Sequence, residues 1–163
     1  MNSSEVRDLL EETLKKELTC VNNPLAVLIV AGSKYVLGWN GSPTCIVNGE
    51  CINRDKPFPG IEALCHPVHA EIRAIAEAAR IGLSLQNSAI YMSGWFPCAA
   101  CAEAIVHAGI KKLVTPNKIY IEKNVLIPEF LGSELYRFEI AEKILVQGGV
   151  KIITDPDIRP RIS

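Results

Sequence analysis

Apolar positions recur along the chain with two periods, and the way those periods alternate sets the expected architecture. In residues 4–18, Val6, Leu9, Leu10, Leu14 and Leu18 fall three to five apart, the stripe of an amphipathic helix that Ser3 or Ser4 can cap. Cys20-Val21-Asn22-Asn23-Pro24 ends that period in a turn. Leu25 to Ala31 is then a continuous apolar, β-branched run between Pro24 and Gly32, as expected of a strand buried on both faces. Gly32-Ser33 turns the chain into a second strand, Lys34 to Trp39, making a hairpin. From Asn40 to Leu64 the pattern dissolves around Pro43, Pro57 and Pro59; loops of that length are usually functional, or tied down by something such as a metal.

The helical period returns at Pro67 and runs to about Ile81, with Gly82 as its stop. Ile72, Ala74, Ile75, Ala76, Ala78 and Ala79 make this helix apolar on more than one face, which suits burial under a sheet on one side and a subunit contact on the other. Short apolar runs at Ser88 to Met92, Lys112 to Thr115 and Val150 to Thr154 read as strands. Between them lie helices from Pro97 to about His107, closed by Gly109, and near Ser133 to Gln147. A hairpin followed by alternating helix and strand predicts an α/β fold, a three-layer α/β/α sandwich around a central mixed five-stranded sheet. No repeat or linker divides residues 1–163, which read as a single domain.

Composition narrows the function. At 163 residues the chain can bury a core without disulfides. Seventeen Lys plus Arg against eighteen Asp plus Glu leave a formal net charge of −1, so no global field draws it to polymeric nucleic acid, and a small substrate is favoured. The first twenty residues are too charged for a signal peptide, and Leu25 to Ala31, the longest apolar run, is far short of the roughly 18 residues of a membrane span. A cytoplasmic protein without a membrane partner is expected, and in that compartment six cysteines are metal ligands or buried small side chains rather than disulfides.

The chemistry concentrates in His69-Ala70-Glu71 and Pro97-Cys98-Ala99-Ala100-Cys101. One imidazole and two thiolates supply three legs of a tetrahedral zinc site with its fourth position open to water, and Glu71, kept off the metal, can move that water's proton. Both segments sit at expected helix starts, where free amides and the macrodipole favour thiolate anions, and the i, i+3 spacing turns both sulfurs toward one point. The thiol pair alone also fits a thioredoxin-like redox site, or a closed structural zinc. His69 and Glu71 weigh against both.

With these residues in place, the chain resembles the zinc nucleoside and nucleotide deaminases, and in particular their deoxycytidylate (dCMP) deaminase branch. The resemblance runs from about Thr19 to Tyr120 and includes Gly38-Trp39-Asn40-Gly41-Ser42-Pro43, Cys65-His66-Pro67-Val68-His69-Ala70-Glu71, Phe96-Pro97-Cys98 and Ala108-Gly109-Ile110-Lys111. It implies hydrolytic deamination of a cytosine deoxynucleotide, dCMP to dUMP plus ammonia, with His69, Cys98 and Cys101 on zinc and Glu71 as proton shuttle. It also implies that Asn40 bonds the substrate near its sugar and that the backbone at Ala70 reads the pyrimidine edge. Phe96 stands where purine deaminases often carry Glu, while Lys118 and Tyr120 are candidates for the phosphate end. Some members carry a second, structural zinc, for which Cys20, Cys45, Cys51 and Cys65, with His66 in reserve, are the candidates; buried thiols are the alternative. A homo-oligomer, dimer or hexamer, is expected. The chain departs from the family at Arg73, where Asn is usual, and in Val21-Asn22-Asn23-Pro24, which lacks the usual basic residues. Modified cytosine, dCTP, guanine and adenine stay open as alternative substrates.

Overall fold

A computed structural model describes residues 1–16, 20, 24–41, 68–116 and 138–161. Its elements are α1 (Ser3–Lys16), β1 (Ala26–Ala31), β2 (Lys34–Trp39), α2 (Ala70–Arg80), β3 (Ala89–Met92), α3 (Ala99–His107), β4 (Lys112–Thr115), α4 (Phe138–Gln147) and β5 (Lys151–Thr154). A short 3-10 turn, Pro156–Ile158, follows β5. The five strands form one sheet in the order β2-β1-β3-β4-β5. β1 is antiparallel to both β2 and β3, whereas β3, β4 and β5 run parallel, so the sheet is mixed as the alternation predicts. The hairpin closes with Ala31 opposite Lys34 across Gly32-Ser33.

The unbroken apolar run of β1 is explained by its two neighbours. Ala26 and Leu28 join Val6 and Leu10 of α1, Val114 and Ile158 in a core on one face. Val27 and Ile29 point the other way, into a larger core with Ile90, Leu113, Ile105 and Leu145 under α2, α3 and α4. Strand side chains alternate between faces, so a strand covered on both sides has no polar position to give. Ile158, fully buried, closes the α1 side. Among the described residues no helix is long and apolar enough to cross a membrane.

α2 lies unusually close to the sheet. Ala70, Ala74 and Ala78, spaced by four, are all fully buried and form a flat ridge. Gly38 of β2 faces that ridge; a Cβ there would stand 2.2 Å from the Ala70 carbonyl oxygen and 2.7 Å from the Ala74 nitrogen. Only glycine admits this approach.

Two helix starts differ from the expectation. α2 begins at Ala70 rather than Pro67, because Val68 is spent on a backbone bridge: its N–H donates to Gly41 O at 3.0 Å and its oxygen accepts from Gly41 N–H at 3.3 Å. α3 begins at Ala99 rather than Pro97, with Cys98 as its N-cap. The other ends follow the glycine stops: Gly82 and Gly109, with φ of 70° and 80°, take the left-handed conformation just past α2 and α3. Residues 133–137, expected to open the last helix, lie outside the described residues.

Candidate metal centre

His69 and Cys98 occupy the same position in their respective helices. Each is an N-cap with extended backbone (φ −66°, ψ 144° and φ −70°, ψ 170°), and neither side chain caps its own helix. A side chain at that position leaves the helix axis and is free to aim elsewhere. Both aim at one point. His69 Nδ1 lies 3.5 Å from Cys98 Sγ and 3.3 Å from Cys101 Sγ, Cys101 coming from the first turn of α3. The three donor atoms all lie within 4.8 Å of one another, and among the described residues they are the one such cluster of three or more metal-ligating groups.

The donor set fits zinc. An imidazole nitrogen at about 2.0–2.1 Å and a thiolate at about 2.3 Å from one tetrahedral zinc lie about 3.6 Å apart, close to the two nitrogen–sulfur separations here. The charge state fits as well. The hydrogen bond from Cys101 above all, and then that with His69, hold the Cys98 thiol down to about 4 against the opposing effect of burial. Cys101 is pushed up by the reciprocal bond and by burial, so of the two sulfurs it is Cys98 whose anion is favoured. The hydrogen bond to Cys98 raises His69 above its ordinary value.

Glu71 is 2% exposed, and burial raises its carboxyl above the usual carboxylate range. It lies beside Cys101, yet its Oε2 is buried without a hydrogen-bond partner. A buried oxygen left unpaired is costly, so its persistence beside three convergent donors marks a place where another group completes the bonding.

The segment before Cys98 is anchored on three sides. Ser93 N–H donates to Ala26 O at 3.0 Å, and its Oγ accepts from the Ala26 amide at 2.9 Å. Thr115 Oγ1 donates to Gly94 O at 3.5 Å. The Phe96 ring meets Phe138 of α4 edge to face, centroids 6.5 Å apart. Phe96 is 2% exposed, and Ala70, packed against Gly38, is fully buried. At the end of β2, Asn40 Oδ1 accepts from Leu25 N–H at 2.8 Å, its own N–H donates to Leu25 O, and its oxygen accepts from Cys20 N–H at 3.0 Å. Lys118, Tyr120, Cys45, Cys51, Cys65 and His66 lie outside the described residues, so of the four cysteines proposed for a second zinc the structure describes Cys20.

Two contributors carry only a weak signal of their role in the sequence. Gly38, whose signal is a lone glycine inside a strand pattern, lets α2 reach the sheet. Arg73, visible only as an odd residue after His-Ala-Glu, stacks on Trp39 with its guanidinium carbon 4.8 Å from the ring centre.

Comparison with known proteins agrees with this geometry. The family model for the cytidine and deoxycytidylate deaminase zinc-binding region matches residues 2–116. The chain is 49% identical to the deoxycytidylate deaminase of Enterobacteria phage T2 over 47 residues, 29% of this chain and 24% of that protein. With ComE operon protein 2 of Bacillus subtilis (strain 168) it shares 30% identity over 95 residues, 57% of this chain and 48% of the other. The matches thus span from a quarter to about half of those relatives' lengths. The crystal structure of dCMP deaminase from the cyanophage S-TIM5 in complex with dCMP and dUMP has the same fold, with a TM-score of 0.64 and 21% identity over 93% of this chain and 94% of that one.

Proposed function

Because the chain belongs to the cytidine and deoxycytidylate deaminase zinc-binding family, we propose that it hydrolyses the amine of a cytosine deoxynucleotide, converting dCMP and water to dUMP and ammonia. One observation carries the reading: His69 Nδ1 faces both cysteine sulfurs at 3.3 and 3.5 Å beside a buried carboxyl with a free oxygen. The choice of dCMP is supported by the stretch shared with the phage T2 deoxycytidylate deaminase.

His69, Cys98 and Cys101 would hold the zinc, leaving Glu71 outside the donor set. When bound, zinc supplies Lewis acidity that brings the pKa of water from 15.7 to about 7. Glu71, whose carboxyl burial raises above the usual carboxylate range, takes a proton from water as the water oxygen adds to C4 of the pyrimidine and hands it to the ring nitrogen; it then takes the proton of the new hydroxyl and delivers it to the amine as the C4–N bond breaks. Asn40 holds the sugar from the end of β2, and the Ala70 backbone meets the pyrimidine edge. Phe96, wedged against Phe138, shapes the wall, while Lys118 and Tyr120 serve the phosphate end. Residues 1–163 act as one deaminase domain in a cytoplasmic homo-oligomer, for which the exposed Ile72 and Ile81 suit a subunit contact.

The test is ammonia release from purified protein given nucleosides, mono- and triphosphates and free bases. dCMP should be the preferred substrate; preference for guanine, adenine or a modified cytosine would replace the substrate while keeping the chemistry. Glu71→Ala should lower the rate by about 10²–10⁴ with zinc retained, and undiminished activity would refute the mechanism. The second, structural zinc on Cys20, Cys45, Cys51 and Cys65, or His66, predicts two zinc per chain; a metal assay returning one removes it.

A further inference from the structure

We propose that Arg73 is a positioning residue, holding the Trp39-Asn40-Gly41 end of β2 where Asn40 can meet the substrate. The inference rests on the deaminase reading above.

Arg73 lies one turn into α2, its N–H donating to His69 O at 3.0 Å. Its side chain leaves the helix for the exit of β2. There the guanidinium stacks on Trp39, and Nη2 donates to Gly41 O at 3.5 Å. These contacts fall on the residues immediately before and after Asn40. Asn40 itself is bonded to Leu25 by two hydrogen bonds and to Cys20 by a third. The residue expected to meet the sugar is therefore gripped through its own bonds from the β1 side and through its neighbours from α2.

The grip from α2 depends on the ring. The bond to Gly41 is at the long limit of hydrogen-bond length, and the Arg73 Nε–H is buried without a hydrogen-bond partner. Stacking on Trp39 is then what places the guanidinium, a task suited to its planar, weakly hydrated shape and poorly suited to the ammonium of lysine. The packing of Gly38 on Ala70 and Ala74 sets how closely the helix approaches the strand, but it acts one residue before the Trp39-Asn40-Gly41 end. His69, Glu71, Cys98 and Cys101 take their places from the helix starts and the Ser93 anchor, and the Gly41–Val68 backbone bridge beside His69 is made without the arginine side chain. Loss of Arg73 should therefore weaken substrate binding and spare the chemical step.

Steady-state kinetics of the zinc-loaded enzyme on dCMP test this. Arg73→Met should raise KM about tenfold with kcat within about twofold and zinc content unchanged, the signature of lost uniform binding. Trp39→Leu should reproduce the KM rise, and the double variant should be no worse than the worse single one, because both break the same tie. Arg73→Lys, which keeps the charge but loses the planar stack, should raise KM by a similar factor, and it carries the test should Arg73→Met not fold. An unchanged KM in Arg73→Met, a fall in kcat alone, or KM effects that multiply in the double variant would overturn the positioning role. Wild-type protein that released no ammonia from any nucleotide would overturn the deaminase reading and this inference together.

Discussion

The starts of α2 and α3 reach the same solution with opposite allocations of charge. Each begins with an N-cap residue that forgoes its cap, which costs about 1 kcal/mol relative to Ser, Thr, Asp or Asn, and turns its side chain to the shared point instead. α3 contributes two sulfurs, at the cap and three residues on, and has no acid in its first turn. α2 contributes an imidazole ring and, two residues later, the buried Glu71. Sulfur and carboxyl are thus kept on separate helices, each near a positive helix end that favours the anion, an effect that burial opposes at Glu71. The ligands are supplied mostly from one side and the proton carrier from the other, so changes at the two starts should fail in different ways.

The largest effect expected from that division is at Cys101. Cys101→Ala should lower zinc affinity by more than the 10–100-fold that losing an outer partner costs, and ammonia release should fall with it, whereas Glu71→Ala loses the rate and keeps the metal. Metal analysis of the two variants side by side would break the comparison if both, or neither, retained zinc. Next is Gly38→Ala, which forces α2 off the sheet while leaving α3 in place. It should cost about 1–3 kcal/mol, a fall in Tm of several degrees, and reduce activity without removing either sulfur. The smallest effect on stability is that of Cys98→Ser. In zinc-free protein it restores a capping hydroxyl and should gain about 0.5–1 kcal/mol over zinc-free wild type in thermal melts, while zinc binding is lost. A melt unchanged or lowered would mean that the thiolate already does the work of a cap.

Where periodicity is strong, the fold was legible in advance. Lys34–Trp39 and Lys112–Thr115 have the expected bounds, and the glycine stops after α2 and α3 are where the pattern puts them. The helix starts were less so: proline marks a permitted first turn, but a long-range bridge between Gly41 and Val68 decided where α2 begins, and no local pattern reports a partner so far along the chain. The meeting of His69 with Cys98 and Cys101 was legible from residue type and helix position, since few other chemistries want those groups together. What escaped was contact across elements. Gly38 looks like any strand glycine until Ala70 lies on it, and Arg73 looks like a surface cation until Trp39 is beneath it.

The seam between Gly38 and the alanine ridge also bears on how this chain can vary. A packed interface between larger side chains can be retuned by exchanging volume across it, one residue growing as its neighbour shrinks. Here one side already has no side chain and the other a single methyl, so every substitution at position 38 adds bulk, and the ridge can shrink only to glycine, at the expense of its helix. The spacing between β2 and the helix carrying His69 and Glu71 therefore stands at its floor, insulated from drift in the surrounding core. Any change in that spacing must come from outside the seam, since volume cannot be exchanged across it.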